Sequence, residues 1–541
     1  MKPERKMSRR RFLIGAAAAG AAGVLAACQP KTVVVEKEVE KPVEKVVKET
    51  VVVEKEVEKV VKETIVVEKE VEKVITATPA PKGAYEELEG TLAIAKYVDA
   101  PNADGSKSVG QLVWEKILAA YKEVQPGVEI EEIFFPQGAM PDEVYQWVKT
   151  RQAAREVPTI VNSTVDEWFS PALERAGKAP WVAVDSYLQE VNPYTGNIWV
   201  DDQDYNLIRW RSAINDRTHI YGIATTKYKA AWMYNKTIFD ELGLTEPKTY
   251  SEWFALNDTL KENGVIPLAE FGGAFRWSHF TWILFGCLGR TDWNAFAGAG
   301  RDFPTLDRKL EWALCDKWRQ DRPWVREGYD VLKKFSTYCT EGFLGMDPGQ
   351  TIELFMQGKA TQLYVDQGYL KVIDSAREDG QFEWEISAFP TPTPDVGLFS
   401  QGVIDNMGPM ADDGENFGAW VIAGAHVRKN KEENQVKMAV DFMRFLTSPQ
   451  VQEMYVNDLL NLPVNPNVEP KDPRIAAWLK NPEQIEYKFF FFGDRPTWYQ
   501  YFEGYLTDQL TVDELIASSE QEIKQWAETQ AKEAQITVTC E

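Results

Sequence analysis

Catalysis and metal binding have few footholds in this chain. It holds three histidines, His219, His279 and His426, and five cysteines, Cys28, Cys287, Cys315, Cys339 and Cys540, with no Cys-x-x-Cys and no Cys/His cluster. A zinc site needs three or four such ligands at short spacing, so no metal is expected. Gly-x-Ser-x-Gly, His-Glu-x-x-His and the phosphate loop Gly-x-x-x-x-Gly-Lys-Ser/Thr are all missing from the sequence, and with them the simplest routes to hydrolysis or nucleotide use. What the chain does supply is 19 Trp, 20 Tyr and 83 acidic residues. Flat aromatic faces pack against C–H-rich rings, while carboxylates, amides and Arg/Lys form paired hydrogen bonds with hydroxyls. That is the chemistry of holding a polyhydroxylated ring without altering it. Acids this abundant fall at glycosidase spacing by chance, so paired carboxylates are no argument for an enzyme.

Such residues must be placed by a scaffold, and the middle of the chain reads as one. GTLAIAKYVD is a first strand; VGQLVWEKILAAYKEVQPGVEIEEIFF is a helix closed by Pro-Gly and then a second strand; EVYQWVKTRQAAREVPTIVNST is a helix and a third. Strand and helix alternating at this spacing predict a parallel sheet with crossover helices. Ligands of such sheets bind beyond the carboxyl ends of the strands, which makes Tyr97 to Asp104 and Asn162 to Phe169 candidate site loops. Further on, a strand of aromatics leads to a short helix stopped at Gly243, and Thr249 or Ser251 is placed to cap the next helix. About 455 residues from position 88 onward can bury a large core, and that length favours two lobes.

The N-terminus is of another kind. Residues 1–27 carry six Lys/Arg, one acid and a 16-residue apolar run, Phe12 to Ala27, too short for a stable membrane span. Ser8-Arg9-Arg10-Arg11-Phe12-Leu13 resembles the twin-arginine export consensus. Leu25-Ala26-Ala27-Cys28 resembles the bacterial lipobox, in which Cys28 becomes the lipidated first residue. Without residues 1–27 the formal charge of −23 falls to near −28, which disfavours nucleic acid as a partner. Residues 33–75 repeat Val-Glu-Lys units, with Val39, Val46, Val53, Val60, Val67 and Val74 at heptad spacing. β-Branched valines and Pro42 oppose a helix, so a solvated spacer is the simpler reading. Either way the segment reaches about 65 Å as a helix or about 140 Å extended. The four cysteines after Cys28 permit three disulfide pairings, which spacing does not choose between.

From Tyr234 onward a resemblance becomes specific. Tyr234-Asn235-Lys236, the helix ending Leu-Gly-Leu, Pro247-Lys248-Thr249-Tyr250, IELFMQGKATQLYVDQGYL and KMAVDFMRFLTSPQVQEMY follow one another as in the family 1 extracellular solute-binding proteins of bacterial ABC importers, the class containing the maltodextrin-binding proteins. The similarity covers roughly residues 88–530 and diverges between about Gly286 and Trp324. It implies an α/β, two-lobed periplasmic-binding-protein fold with discontinuous lobes and a hinge, preceded by the low-complexity stalk. The expected division is a signal peptide at 1–27, a lipidated N-terminus, stalk and linker at 28–87, and a binding domain at 88–541. Lobe one would take roughly 88–200 and 400–460.

The resemblance also implies site residues. Asp99 stands at the family's first-loop carboxylate, and Asp166 at that of the next site loop, with Glu167 beside it. Tyr228 falls near a site position. FRWSHFTWILF resembles the aromatic site helix and offers Trp277, His279 and Phe280. Tyr369 stands where the family carries a stacking Trp, Trp498-Tyr499 matches its C-terminal aromatic pair, and Trp420 lies on a hinge-adjacent strand where it either packs or binds. Each has a plain counterpart: acids cap helices, and a lone histidine or tryptophan usually packs. No cofactor is implied. The implied function is capture of a carbohydrate, an oligosaccharide by preference, for ABC permease transmembrane subunits, by a monomer anchored outside the cytoplasm through Cys28. The competing readings are a binder of a peptide, polyamine or phosphodiester, and an anchored carbohydrate-active enzyme.

Overall fold

The computed structural model describes residues 85–96, 107–135, 141–162, 171–204, 218–227, 230–270, 295–296, 304–317, 322–366, 369–378, 380, 382–387, 410–411, 420–479, 485–486 and 496–540. Strand β1, Gly90–Lys96, buries Leu92, Ile94 and Ala95 completely. The Val109–Val124 helix starts at Ser108, whose side chain accepts from the Gln111 N–H, and buries Val113, Trp114, Ile117 and Tyr121 along one face. It ends before the Pro126-Gly127 turn, where a Cβ on Gly127 would meet the Leu88 carbonyl at 2.4 Å, so only glycine fits. β2, Val128–Phe134, then runs parallel to β1 from Gly90↔Val128 to Lys96↔Phe134. After the Pro141–Ala154 helix, β3, Ile160–Asn162, pairs parallel on the other side of β1. These are the three strands and two helices expected from the alternating sequence.

The first sheet is not wholly parallel, which corrects the simplest expectation. Its order is β2-β1-β3-β10-β4, with β4 at Gly222–Ile223 and β10 at Trp420–Ile422, and β10 is antiparallel to both neighbours. The reason is the chain's route. β4 runs in the same sense as β1 to β3 and leaves at their carboxyl edge for the second sheet. β10 returns to the first sheet at that edge and so runs the other way.

The second sheet has the order β6-β7-β5-β8, made of β5 at Ala230–Asn235, β6 at Ile266–Ala269, β7 at Ala360–Asp366 and β8 at Trp384–Ser387. β6 and β7 are parallel, and β5 opposes both β7 and β8. A short pair, β9 at Met410–Ala411 and β11 at Ile485–Glu486, completes the strands described. In the second lobe the Lys236–Leu242 helix stops at Gly243, in the left-handed region at φ 65°, as its Leu-Gly-Leu sequence predicts. Of the two candidate caps for the Tyr250–Glu262 helix the structure uses Thr249, in a reciprocal capping box with Glu252.

Each sheet is covered on both faces. Leu92, Ile94, Ile160 and Ile422 join the core formed with Trp114, Tyr121, Phe442 and Phe445, while Ala95, Val161 and Val421 face Val144, Val148 and Val157. The second sheet divides likewise, Trp232 and Tyr364 to one core and Met233 and Leu363 to another. This is the period of two expected of strands buried on both sides.

Two covalent or near-terminal features complete the frame. Cys315, which caps the Leu306–Leu314 helix, is bonded to Cys540 across 225 residues, Cys339 is a free thiol, and Cys287 lies outside the described residues. Residues 85–89 lie along the first lobe at the start of β1. Tyr85 stacks on Tyr194 at 5.6 Å, Glu86 pairs with Lys437 at 3.1 Å, and the Gln125 amide accepts from the Leu88 N–H at 3.0 Å and donates to the Glu86 carbonyl at 2.9 Å.

Candidate functional site

The parallel strands of the first sheet end at one edge, and that edge is polar. Lys96 closes β1 opposite Asn162 of β3, and Asn162 in turn faces Trp420. Lys96 is 2% exposed: its ammonium lies 4.0 Å from the centre of the Trp114 ring and 3.4 Å from the Glu132 carboxylate. The same carboxylate accepts from the Trp114 indole at 2.7 Å. A buried cation is tolerable in this setting because a carboxylate and a π-face replace its water. The second sheet also has polar residues after its parallel strands: buried Glu270 follows β6, and half-buried Tyr369 follows β7 just ahead of the Leu370–Glu378 helix.

The chain passes between the lobes beside these edges. After β4 the Lys227 N–H donates to the Leu462 carbonyl at 3.0 Å, and the Asp204 N–H donates to the Val464 carbonyl at 2.9 Å. The Lys227 ammonium and Asp204 carboxylate are 2.8 Å apart.

Asp99, Asp166, Glu167, Tyr228, Trp277, His279 and Phe280 lie outside the described residues, as do Cys28 and the repeat. Trp498 and Tyr499 fall in the first turn of the Pro496–Leu506 helix. Tyr369 packs at the rim of the core containing Leu370 and Phe382. Trp420 takes the packing alternative: it is 4% exposed, stacks on Trp114 at 5.6 Å, meets Phe442 edge-on, and donates its indole N–H to Thr225 Oγ1 at 3.1 Å.

Much of the aromatic supply is likewise committed to the cores. Trp232 and Trp253 donate to one oxygen, Gln362 Oε1, at 3.0 and 2.6 Å; Trp199 donates to Thr447 at 2.9 Å; and Trp384 lies under the Arg474 guanidinium at 3.8 Å. The Tyr-Asn-Lys motif also has a structural explanation. Asn235 caps the following helix through the Ile238 N–H at 3.1 Å, Lys236 pairs with Asp240, and burial followed by Glu246, Glu385 and Asp240 pushes the Tyr234 phenol up to about 12. Asn162 opens one of the candidate site loops read from the sequence, whereas Lys96 and Glu270 were not among the candidates. The signal for Lys96 was there, a single charge ending the apolar run of GTLAIAK.

Two α/β lobes with an antiparallel strand returned from one into the other's sheet are the periplasmic-binding-protein architecture, and whole solved structures match it at that level. The chain is similar to a chitin oligosaccharide binding protein (TM-score 0.58, 17% identity, 81% of this chain and 99% of that one). It is also similar to T. maritima MalE3 with maltose bound (0.56, 14%, 80% and 99%) and to RafE in complex with raffinose (0.55, 15%, 81% and 100%). In sequence it is 29% identical over 130 residues to a probable sugar-binding periplasmic protein of Mesorhizobium japonicum, a stretch spanning 24% of this chain and 28% of that relative.

Residues 103–453 match the bacterial extracellular solute-binding proteins, and the chain belongs to that family. It is a binding protein, not an enzyme.

Proposed function

We propose that the protein captures a carbohydrate, an oligosaccharide by preference, between its two lobes and delivers it to the transmembrane subunits of an ABC importer. The observation that carries this reading is the convergence of the two polar strand edges on the crossing segments. Asp99, Asp166 and Glu167 fall on the stretches that follow β1 and β3, and Tyr369 on that after β7. Tyr228 lies on the crossing segment itself, Trp277, His279 and Phe280 follow β6 and Glu270, and Trp498 and Tyr499 open a second-lobe helix. Acids and amides from one lobe would then meet aromatic faces from the other, and closure would exclude water from both. Relatives named for chitin oligosaccharide, maltose and raffinose support the ligand class.

In this reading residues 1–27 are removed on export, Cys28 is lipidated, 28–87 tether the domain, and 88–541 form the monomeric binder. The disulfide agrees with an oxidising compartment.

A thermal-shift screen against mono- and oligosaccharides, with amino acids, peptides and polyamines as controls, tests the proposal. A ligand at 100 times its dissociation constant adds about 2.7 kcal/mol of stability. A shift with one family of sugars supports the reading. A shift confined to the controls overturns the carbohydrate assignment and leaves the fold standing.

A further inference from the structure

Closure of the two lobes needs backbone rotation somewhere in the crossing segments, and one buried side chain is bonded to two of them. Gln452, in the Pro449–Leu459 helix of the first lobe, is completely buried, and both ends of its amide are used. Its Nε2 donates to the Thr225 carbonyl at 2.8 Å and the Leu446 carbonyl at 3.0 Å, and its Oε1 accepts from the Val464 N–H at 2.9 Å. Thr225 belongs to the segment leaving the first sheet after β4. Val464 belongs to the other described segment on the seam, paired antiparallel to it at Lys227↔Leu462. One side chain therefore ties both to the first lobe. Two further bonds reinforce the tie: Trp420 donates to Thr225 Oγ1, and Asn465 Nδ2 donates to the Thr447 carbonyl at 3.0 Å.

Immediately beyond these points the allegiance changes. Val464 packs in the first-lobe core with Ile223 and Phe442, whereas Leu460 and Leu462 pack in the second-lobe core with Met233, Trp384 and Ile475. Pro463 alone separates Leu462 from Val464. On the second-lobe side, Arg474 secures the segment by donating to Asp374 at 2.8 Å and covering the Trp384 ring.

We propose that Gln452 is a positioning residue for lobe closure. It fixes Thr225 and Val464 to the first lobe, so that in these two described segments rotation is confined to the residues around Lys227 and Leu462–Pro463. It acts through the backbone of the crossing segments and touches no solute. Without it the rotation spreads back into the first lobe, and the open state loses its definition. The inference rests on closure about these segments, but its test needs no solute.

The experiment compares Gln452→Leu with Val451→Ala in the full chain without solute. Val451→Ala empties a neighbouring position of the same helix that lies in the first-lobe core. Two quantities are read: the distance distribution between spin labels at exposed Glu123 and Val372, and amide exchange resolved by residue. Gln452→Leu is expected to broaden the distribution and to speed exchange at the Val464 and Lys227 amides by about tenfold or more, with the β1 amides unchanged. Val451→Ala is expected to lower first-lobe stability without broadening.

Gln452→Glu keeps the acceptor for Val464 and loses the donors to Thr225. It is expected to free the Lys227 side alone, and it supplies the reading if Gln452→Leu does not fold. A folded Gln452→Leu with an unchanged distribution overturns the proposal, as does equal broadening in Val451→Ala, or a Gln452→Glu that frees neither side. A failed sugar screen would leave these outcomes readable, and the reverse holds too.

Discussion

The two lobes solve the same problem, joining distant stretches of chain around a sheet, with different chemistry. Several long-range joins of the first lobe are neutral or share one carboxylate. Trp199 reaches Thr447, Gln435 donates to the Thr91 carbonyl, and the Tyr121 and Tyr194 hydroxyls both donate to Asp441 Oδ2, at 2.9 and 2.7 Å. The second lobe holds its C-terminal residues with charge and a covalent bond. Arg326 pairs with Asp513, Lys333 with Asp508, Arg474 sits between Asp374 and Asp472, and Cys315 is bonded to Cys540. The first lobe sets local β-α-β units against residues 420–464, and the Tyr121–Asp441 bond spans 320 positions. The second gathers pieces from residues 230 to 540, and there a disulfide across 225 residues offsets part of the loop entropy.

The contrast predicts separable responses. The largest is to reduction of the disulfide. In the chain-entropy account a 225-residue loop corresponds to about 5 kcal/mol, and measured bonds usually give about 2–4. Cys540→Ser should therefore lower a second-lobe unfolding transition in calorimetry and leave the first-lobe transition in place. Equal shifts in both would break the comparison.

Next is Gln362→Leu. Gln362 is fully buried; its oxygen serves two indoles, and its nitrogen donates to Asn257 Oδ1 at 2.6 Å. Leaving those groups unpaired should cost about 2–4 kcal/mol, read from urea unfolding. Trp498→Ala should weaken solute binding by about 1–3 kcal/mol in calorimetric titration if the ring stacks on a sugar. An unchanged affinity in a folded variant would remove Trp498 from the site.

The smallest effect is a difference in sign with pH. Burial raises the Asp441 carboxyl above its ordinary value despite the hydrogen bonds from Tyr194 and Tyr121. Its contribution to folding is thus present below about pH 4 and lost as pH rises through the raised value. Burial also pushes up Asp374 and Asp472, but hydrogen bonds from Arg377 and Arg474 to the first, and from Arg474 to the second, outweigh it and leave both lowered. Their contribution is present above about pH 4 and is lost as pH falls through the lowered values. Amide exchange at pH 7, 5 and 3 should show the first lobe tightening on acidification before the second loosens, and Asp441→Asn should abolish the tightening.

The frame was legible where local rules suffice. Short apolar runs alternating with helical ones gave β1, β2 and β3, Pro-Gly marked the end of the helix before β2, and Leu-Gly-Leu marked a helix stop that Gly243 confirms. Thr249 and Ser251 are both able to cap, and the reciprocal bonds with Glu252 select Thr249. The antiparallel place of β10 was not legible, because three residues, Trp-Val-Ile, carry no record of which strands they lie between. Nor was the cysteine pairing, which joins positions brought together only by the tertiary fold. Tryptophan was the misleading signal. An indole suits a sugar face and a core equally, and Trp420 shows the second use. The candidate ligand residues fall mainly on segments following strands, where neither periodicity nor packing constrains identity.

The docking of residues 85–89 also has a mechanical meaning. Tension applied through the N-terminal segment enters the folded domain at the amino end of β1. It is taken up there by the Tyr85–Tyr194 stack, the Gln125 amide and the Glu86–Lys437 pair, all in the first lobe. Their bonds would be loaded in shear, across the start of a seven-residue parallel pairing, before any force reached the seam. A load entering at this point meets first-lobe contacts before it meets the crossing segments.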